Sequence, residues 1–297
     1  MTGRRALSAW VGRPTAGPRE AAAWSTRRRV TTELRAVRGR AYPRINGLFR
    51  EKSWLLFEIL LPFLTTSAYV FLYRALEAPA EYAGFVVLGG AMTAFWLDVI
   101  WMMAHQLYLE KHQGNLELYF VAPMDLMSVL VGMAIGGLVI SSLRAVVVLV
   151  VGTAVYGVAF SIANWFVLIA VFILTLASVY ALGMILASLF LMWGREAWHL
   201  TQLLTEPIYF VSGLTFPIGR LGMLGALAVA TIPLAVGLDA MRQLAFSETP
   251  SFGTPPPEVE ALILVAMTLG YFALARYNLG VLERLARREG RLTVRWQ

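Results

Sequence analysis

Cysteine is absent from the 297 residues, which excludes disulfides, iron–sulfur clusters and thiolate metal sites within the chain. Histidine is scarce, and His105, His112 and His199 are too scattered to suggest a metal site. Of 25 basic residues only Lys52 and Lys111 are lysines, an arginine bias that suggests a GC-rich bacterial genome. Charge is thin overall, 14% against about 25% in a soluble globular protein. A phosphate loop is missing too. Lys52-Ser53 is the one Lys-Ser/Thr pair, with Glu51 where the motif needs glycine, and Lys111 is followed by His112. The chain is therefore expected to bind no nucleotide and no cofactor. Nor does it offer a nucleophile and base at a familiar spacing, so it does not read as an enzyme.

What the chain has in abundance is apolar sequence. It is 58% hydrophobic, in runs long enough to cross a hydrocarbon layer about 30 Å thick as helix. In lipid every backbone amide needs an internal partner, which leaves helices or a closed barrel. The runs are continuous rather than alternating, so helices are expected and the fold class is all-α integral membrane protein. The net charge of +7 could point to nucleic acid, but its placement argues against that. Residues 1–53 hold twelve Arg and one Lys against three acids, and residues 276–297 hold six Arg against Glu283 and Glu289. Basic ends flanking apolar spans mark the cytoplasmic side and face anionic lipid headgroups.

Taken in order, residues 1–30, with Pro14, Gly17, Pro18 and Arg27-Arg28-Arg29, read as a disordered cytoplasmic arm. No apolar stretch follows Arg4-Arg5, so a signal peptide is not expected. Residues 31–53 read as an amphipathic helix on the inner membrane surface. Leu34, Val37, Ala41, Ile45 and Leu48 form its apolar face, with Arg44, Arg50 and Lys52 on the polar side. Spans are expected at 54–76, with Pro62 kinking the first, then at 83–106, 127–156 and 164–192. Glu77 and Glu81 in the first loop place it outside, and the loop and span directions then agree at every turn.

Residues 198–246 are apolar for nearly fifty positions. Two full spans there would give seven in all and put the two basic ends on opposite faces, against the positive-inside bias. One span at 199–215, followed by a hairpin over 213–246 that dips into the outer leaflet and returns, keeps both ends inside. Gly213, Pro217, Gly219, Gly222 and Pro233 supply its breaks. With a last span at 259–278, the expectation is six spans within 54–282, a basic tail at 283–297, and both termini cytoplasmic in a bacterial inner membrane.

Residues 107–126 interrupt two apolar runs. There Gly114-Asn115-Leu116-Glu117, followed by Ala122-Pro123, resembles the cytoplasmic coupling segment of ABC-2 type transporter permeases. The stretch Glu206-Pro207-Ile208-Tyr209-Phe210-Val211-Ser212-Gly213-Leu214-Thr215-Phe216-Pro217 is similar to the fifth-span motif of that family. Pro233 to Arg242, with Leu238-Asp239, is similar to its re-entrant segment. The chain departs from the family at Asn115, where Thr is frequent, and in the long arm before the interfacial helix. The resemblance implies an exporter subunit that dimerises, with itself or a sister subunit, and is driven by separate ATPase chains carrying ATP and Mg. The interfacial helix would be an elbow that also touches the ATPase. The cargo class would be a drug, lipid or glycan.

The resemblance also assigns roles. Gln113, Gly114, Leu116, Glu117, Tyr119, Phe120 and Pro123 would key into the ATPase, and Gly213, Phe216, Pro217, Asp239 and Arg242 would form an outer gate. The residues themselves suit a lever. Leu116, Tyr119 and Phe120 recur at helical spacing, Glu117 offers a charge, and Pro123 fixes the exit; an ordinary solvated loop is the bland alternative. Charges within spans are costly and face protein or water. Glu58, Asp98 and Glu206 all fall in the cytoplasmic half, where they would either line an inward cavity for cationic amphipaths or pair with Arg195, His105 or backbone. Arg144 falls in the outer half of the third span. Gly132 and Gly136 form Gly-x-x-x-Gly, read as helix packing. An ion-driven carrier would favour an inverted repeat, and none is visible.

Overall fold

The computed structural model describes residues 18–50, 52–122, 124–162, 164–193, 197–216, 218, 222, 231–246 and 255–289. Among these residues every regular element is helical. Helix α1 runs Pro18–Arg50. The expected disordered arm over 1–30 is therefore corrected in part: residues 18–30 are helical, and 1–17 lie outside the described residues. Pro18 stands at the first helical position, where its missing amide costs nothing. Glu20-Ala21-Ala22-Ala23 behind it are good helix formers. The helix also continues through Pro43.

Helix α2 is Lys52–Ala75 and contains Pro62. Helix α3, Glu81–Leu97, passes without a break into a π-helical stretch, Asp98–Ala104, and then into α4, His105–His112. The π character shows in the His105 amide, which donates to Ile100 five residues back. A short helix, α5, occupies Asn115–Val121. Helix α6, Leu126–Tyr156, starts where the Asp125 carboxylate accepts from the Met127 amide and stops at Gly157, whose φ is +67°. Helix α7, Trp165–Trp193, is capped by Asn164, whose side-chain oxygen accepts from the Phe166 and Val167 amides. Then follow α8, Ala197–Val211, α9, Pro233–Ala245, and α10, Pro257–Glu289. The basic tail expected from 283 is thus helical as far as Glu289.

Four segments are long and apolar enough to cross a membrane: Glu81–Lys111, Leu126–Tyr156, Trp165–Leu191 and Pro257–Leu282. At 1.5 Å per residue the 31 residues of α6 reach about 46 Å, beyond the hydrocarbon thickness. Ile59–Ala75 of α2 is a shorter apolar helix. The fifth expected span, 199–215, appears as α8, only 15 residues long, before the chain turns at Ser212 and Gly213. The turn falls at Gly213, the first of the expected breaks, where φ is +64°.

The core is built around α3. Within the apolar window of Glu81–Lys111, 83% of residues are buried, against 17% for Pro257–Leu282, so α3 is central and α10 peripheral. Phe95, Trp96, Ile100, Met103 and Leu107 are wholly enclosed by α6, α7 and their neighbours. Helix α1 lies along α6. Its seat is the Gly-x-x-x-Gly pair: a β-carbon on Gly132 would stand 2.7 Å from the Val37 oxygen, and one on Gly136 would stand 3.1 Å from Arg44 Cδ. The glycines let the backbones approach, as small residues do between membrane helices.

Candidate coupling face and outer turn

The segment between α4 and α6 is a helix between two tight turns. Helix α4 ends with the Gln113 amide donating to Leu109 and the Gly114 amide to Lys111. Gly114 then takes φ +79°, a left-handed conformation that strains any residue with a β-carbon and ends the helix cleanly. Asn115 Nδ2 donates to Gln113 Oε1 at 3.2 Å, and α5 begins. After α5, Ala122 is extended and Asp125 opens α6.

The expected apolar face of this segment divides. Leu116 is 1% exposed and belongs to the main core, whereas Leu118 is 67% exposed. Leu116 is therefore corrected from a docking contact to the anchor that holds α5 against the core. Among the described side chains, Leu118 of α5 and Gln113 just before it are exposed. Tyr119 is half-buried, and burial, with the Glu110 carboxylate adding to it, pushes its phenol above the ordinary tyrosine range. The side chains of Glu117 and Phe120, and Pro123 altogether, lie outside the described residues.

Helix α1 holds both ends of this segment. At the entry, Arg40 Nη2 donates to Glu110 Oε1, which also accepts from Gln106 Nε2 at 3.0 Å. At the exit, the Asp125 amide donates to the Glu33 carboxylate at 3.1 and 3.2 Å. Arg276 of α10 reaches the Asp125 side chain at 3.4 Å. The sequence reading missed Glu33, Arg40 and Glu110, because a charge on an amphipathic surface helix reads as solvated and its partner lies far along the chain.

Asp98 does not line an open cavity here. It is fully buried, accepts from Arg44 Nη2 at 2.6 Å and from the Tyr180 hydroxyl at 3.0 Å, and so is a paired interior charge. The charged partner is not His105. It is Arg44, read from sequence as part of the polar face and in fact turned inward, its other nitrogen donating to the Met133 oxygen at 3.0 Å. The side chains of Glu58 and Glu206, and Arg195 altogether, lie outside the described residues. Among the described residues no cluster of His, Asp and Glu could hold a metal ion.

At the other end, Arg242 of α9 is 2% exposed and serves four backbone oxygens. Nη1 donates to Gly213 at 2.7 Å and to Phe216 at 3.3 Å, while Nη2 donates to Phe85 at 3.0 Å and to Leu214 at 3.1 Å. Gly213 takes φ +64°, and the Thr215 oxygen accepts from Tyr73. Asp239 accepts from Gln243 Nε2 at 3.1 Å. Of the expected outer-gate residues, Gly213, Phe216 and Arg242 therefore meet directly. Asp239 sits one helical turn before Arg242 on α9, and Pro217 lies outside the described residues.

No curated protein matches the chain. A family model described as ABC-2 type transporter matches residues 44–246.

Proposed function

The chain belongs to the ABC-2 type transporter family, and on that footing we propose that it is the membrane subunit of an ATP-driven exporter. A permease of this family normally works with an ABC ATPase partner. In this reading the ATPase holds ATP and Mg, and this chain supplies the path and no hydrolytic chemistry. The observation that carries it is the 113–122 segment: a short helix between two turns, anchored by Leu116 and presenting Leu118 and Gln113 outward. A part that receives force from another protein needs an anchored back and an exposed front, and here Leu116 is buried in the core while Leu118 is exposed.

The remaining features fit one topology. Four long apolar helices, with α2 and α8 added, make six spans, and an even number keeps both basic ends in the cytoplasm. The coupling segment is then cytoplasmic and the 213–246 region lies at the outer face of a bacterial inner membrane. Its turn, held by Arg242, is the outer gate. Helix α1, with arginines exposed along it, is the elbow helix resting on anionic headgroups. Two such chains, identical or sister subunits, enclose the path for a drug-like, lipidic or glycan cargo.

Affinity purification of the tagged chain from its native membrane tests this. The expected result is a soluble partner carrying a phosphate loop, whose ATP hydrolysis changes when the permease is reconstituted with it. Recovery of the chain without any such partner, together with cargo movement that needs no nucleotide, would overturn it.

A further inference from the structure

The route from the coupling segment into the core passes through a joint. Helix α4 meets α3 at the π-helical stretch Asp98–Ala104. A π turn carries an extra residue and is a recurrent site of local adjustment within helices. A push on α5 transmitted along α4 alone would be absorbed there. Helix α1 spans the same interval by a second path. Its Glu33, Arg40 and Arg44 are separated by seven and four residues, so at 3.6 residues per turn they share one stripe about 40° wide. Along that stripe Glu33 takes the Asp125 amide, Arg40 takes Glu110, and Arg44 takes Asp98, the first residue of the joint. Gly137 makes the last contact possible, since a β-carbon there would lie 2.0 Å from Asp98 Oδ2. Tyr180 on α7 holds the second oxygen of Asp98 from the opposite side.

We propose that α1 is a brace across this joint: Glu33 and Arg40 hold the two ends of the coupling segment, Arg44 holds Asp98, and displacement of the segment reaches α3 as one rigid movement. Arg44 and Asp98 are then positioning residues for transport. The inference rests on the coupling reading above. It adds that the interfacial helix carries force as well as anchoring the chain.

Hydrogen–deuterium exchange on the complex of the full chain with its co-purifying ATPase, with and without ATP, tests it. In the wild type, ATP changes exchange at 113–122 and at 98–104 together. In Arg44→Gln the change at 113–122 remains, while the change at 98–104 falls by about threefold or more, within the range of couplings carried by such networks. Arg44→Lys, which keeps the charge, recovers part of it. Glu33→Ala, which touches only the exit tie, is the second variant should Arg44→Gln fail to fold, and it lowers the same response. An unchanged response at 98–104 in a folded variant overturns the brace and leaves the coupling reading standing. A wild-type complex with no nucleotide response at 113–122 overturns both.

Discussion

Arg242 and Phe85 lie 157 positions apart, yet the Arg242 guanidinium donates to the Phe85 backbone oxygen at 3.0 Å and stands 5.3 Å from the centre of its ring. The same guanidinium holds the carbonyls of Gly213, Leu214 and Phe216. One buried cation thus joins α3, α9 and the turn after α8. Arginine suits this position because its planar fork offers five donors, where lysine has three on a single point.

Arg242→Met is expected to leave these oxygens without their donor and to lower stability by about 3 kcal/mol or more, since each buried acceptor left unpaired costs about 1–3 kcal/mol. Arg242→Lys should fall between Met and wild type. Thermal unfolding in one detergent, comparing the three proteins, reads the order. Equal stability of all three would mean that the guanidinium fork is dispensable.

The seat of α1 on α6 leaves almost no room. A β-carbon at Gly132 would press on the Val37 carbonyl, which is backbone and cannot rotate away. Gly132→Val should therefore lift α1. The chain has no cysteine, so Ala41→Cys, at a buried position facing Gly136, becomes a unique reporter. Its maleimide labelling is expected to be slow in the parent and fast beside Gly132→Val. Slow labelling in both would contradict the seat.

Leu116 and Leu118, two residues apart, should behave oppositely. Leu116→Ala is expected to destabilise the protein by about 2–5 kcal/mol, the cost of emptying a buried leucine site. Leu118→Ala should change stability by less than about 0.5 kcal/mol, as exposed positions usually do, while weakening retention of the ATPase. Paired unfolding and pull-down measurements separate the two effects. A stable Leu116→Ala protein that no longer holds the ATPase would reverse the assignment.

Much of the membrane-spanning framework was legible in the sequence. The runs that became α6 and α7 are continuous, and their ends carry readable signals at Asp125, Gly157 and Asn164. The helix break at Gly114 was not read, although glycine is the residue that tolerates the left-handed turn there. What could not be read is direction. Leu116, Tyr119 and Phe120 share a face by spacing, but spacing does not say that Leu116 turns into the core. Arg44 sits on an amphipathic helix like its neighbours Arg38 and Arg50, and only the fold brings Asp98 to it. The π-helical stretch is equally silent, since its apolar residues would suit an ordinary helix. The end of α8 was legible at Gly213, the first of the expected breaks, but its short length was not.

The proposed six-span topology makes its own prediction. Reporter fusions at the N-terminus and after Gln297 should both be active on the cytoplasmic side, and a tag inserted at Glu77 should be reachable from outside intact spheroplasts. Reporters on opposite faces would require an odd number of crossings and would move the 213–246 turn into a full span.

The central claim is that a separate ATPase drives this chain through the exposed side of α5. Leu118→Cys, the sole cysteine in such a protein, can carry a photoactivated cross-linker in native membranes. The account predicts one dominant adduct, to a protein with a phosphate loop, whose yield changes when ATP is added. Cross-links at position 118 that go only to lipid or to a second copy of this chain, with the ATPase captured elsewhere or nowhere, would contradict it.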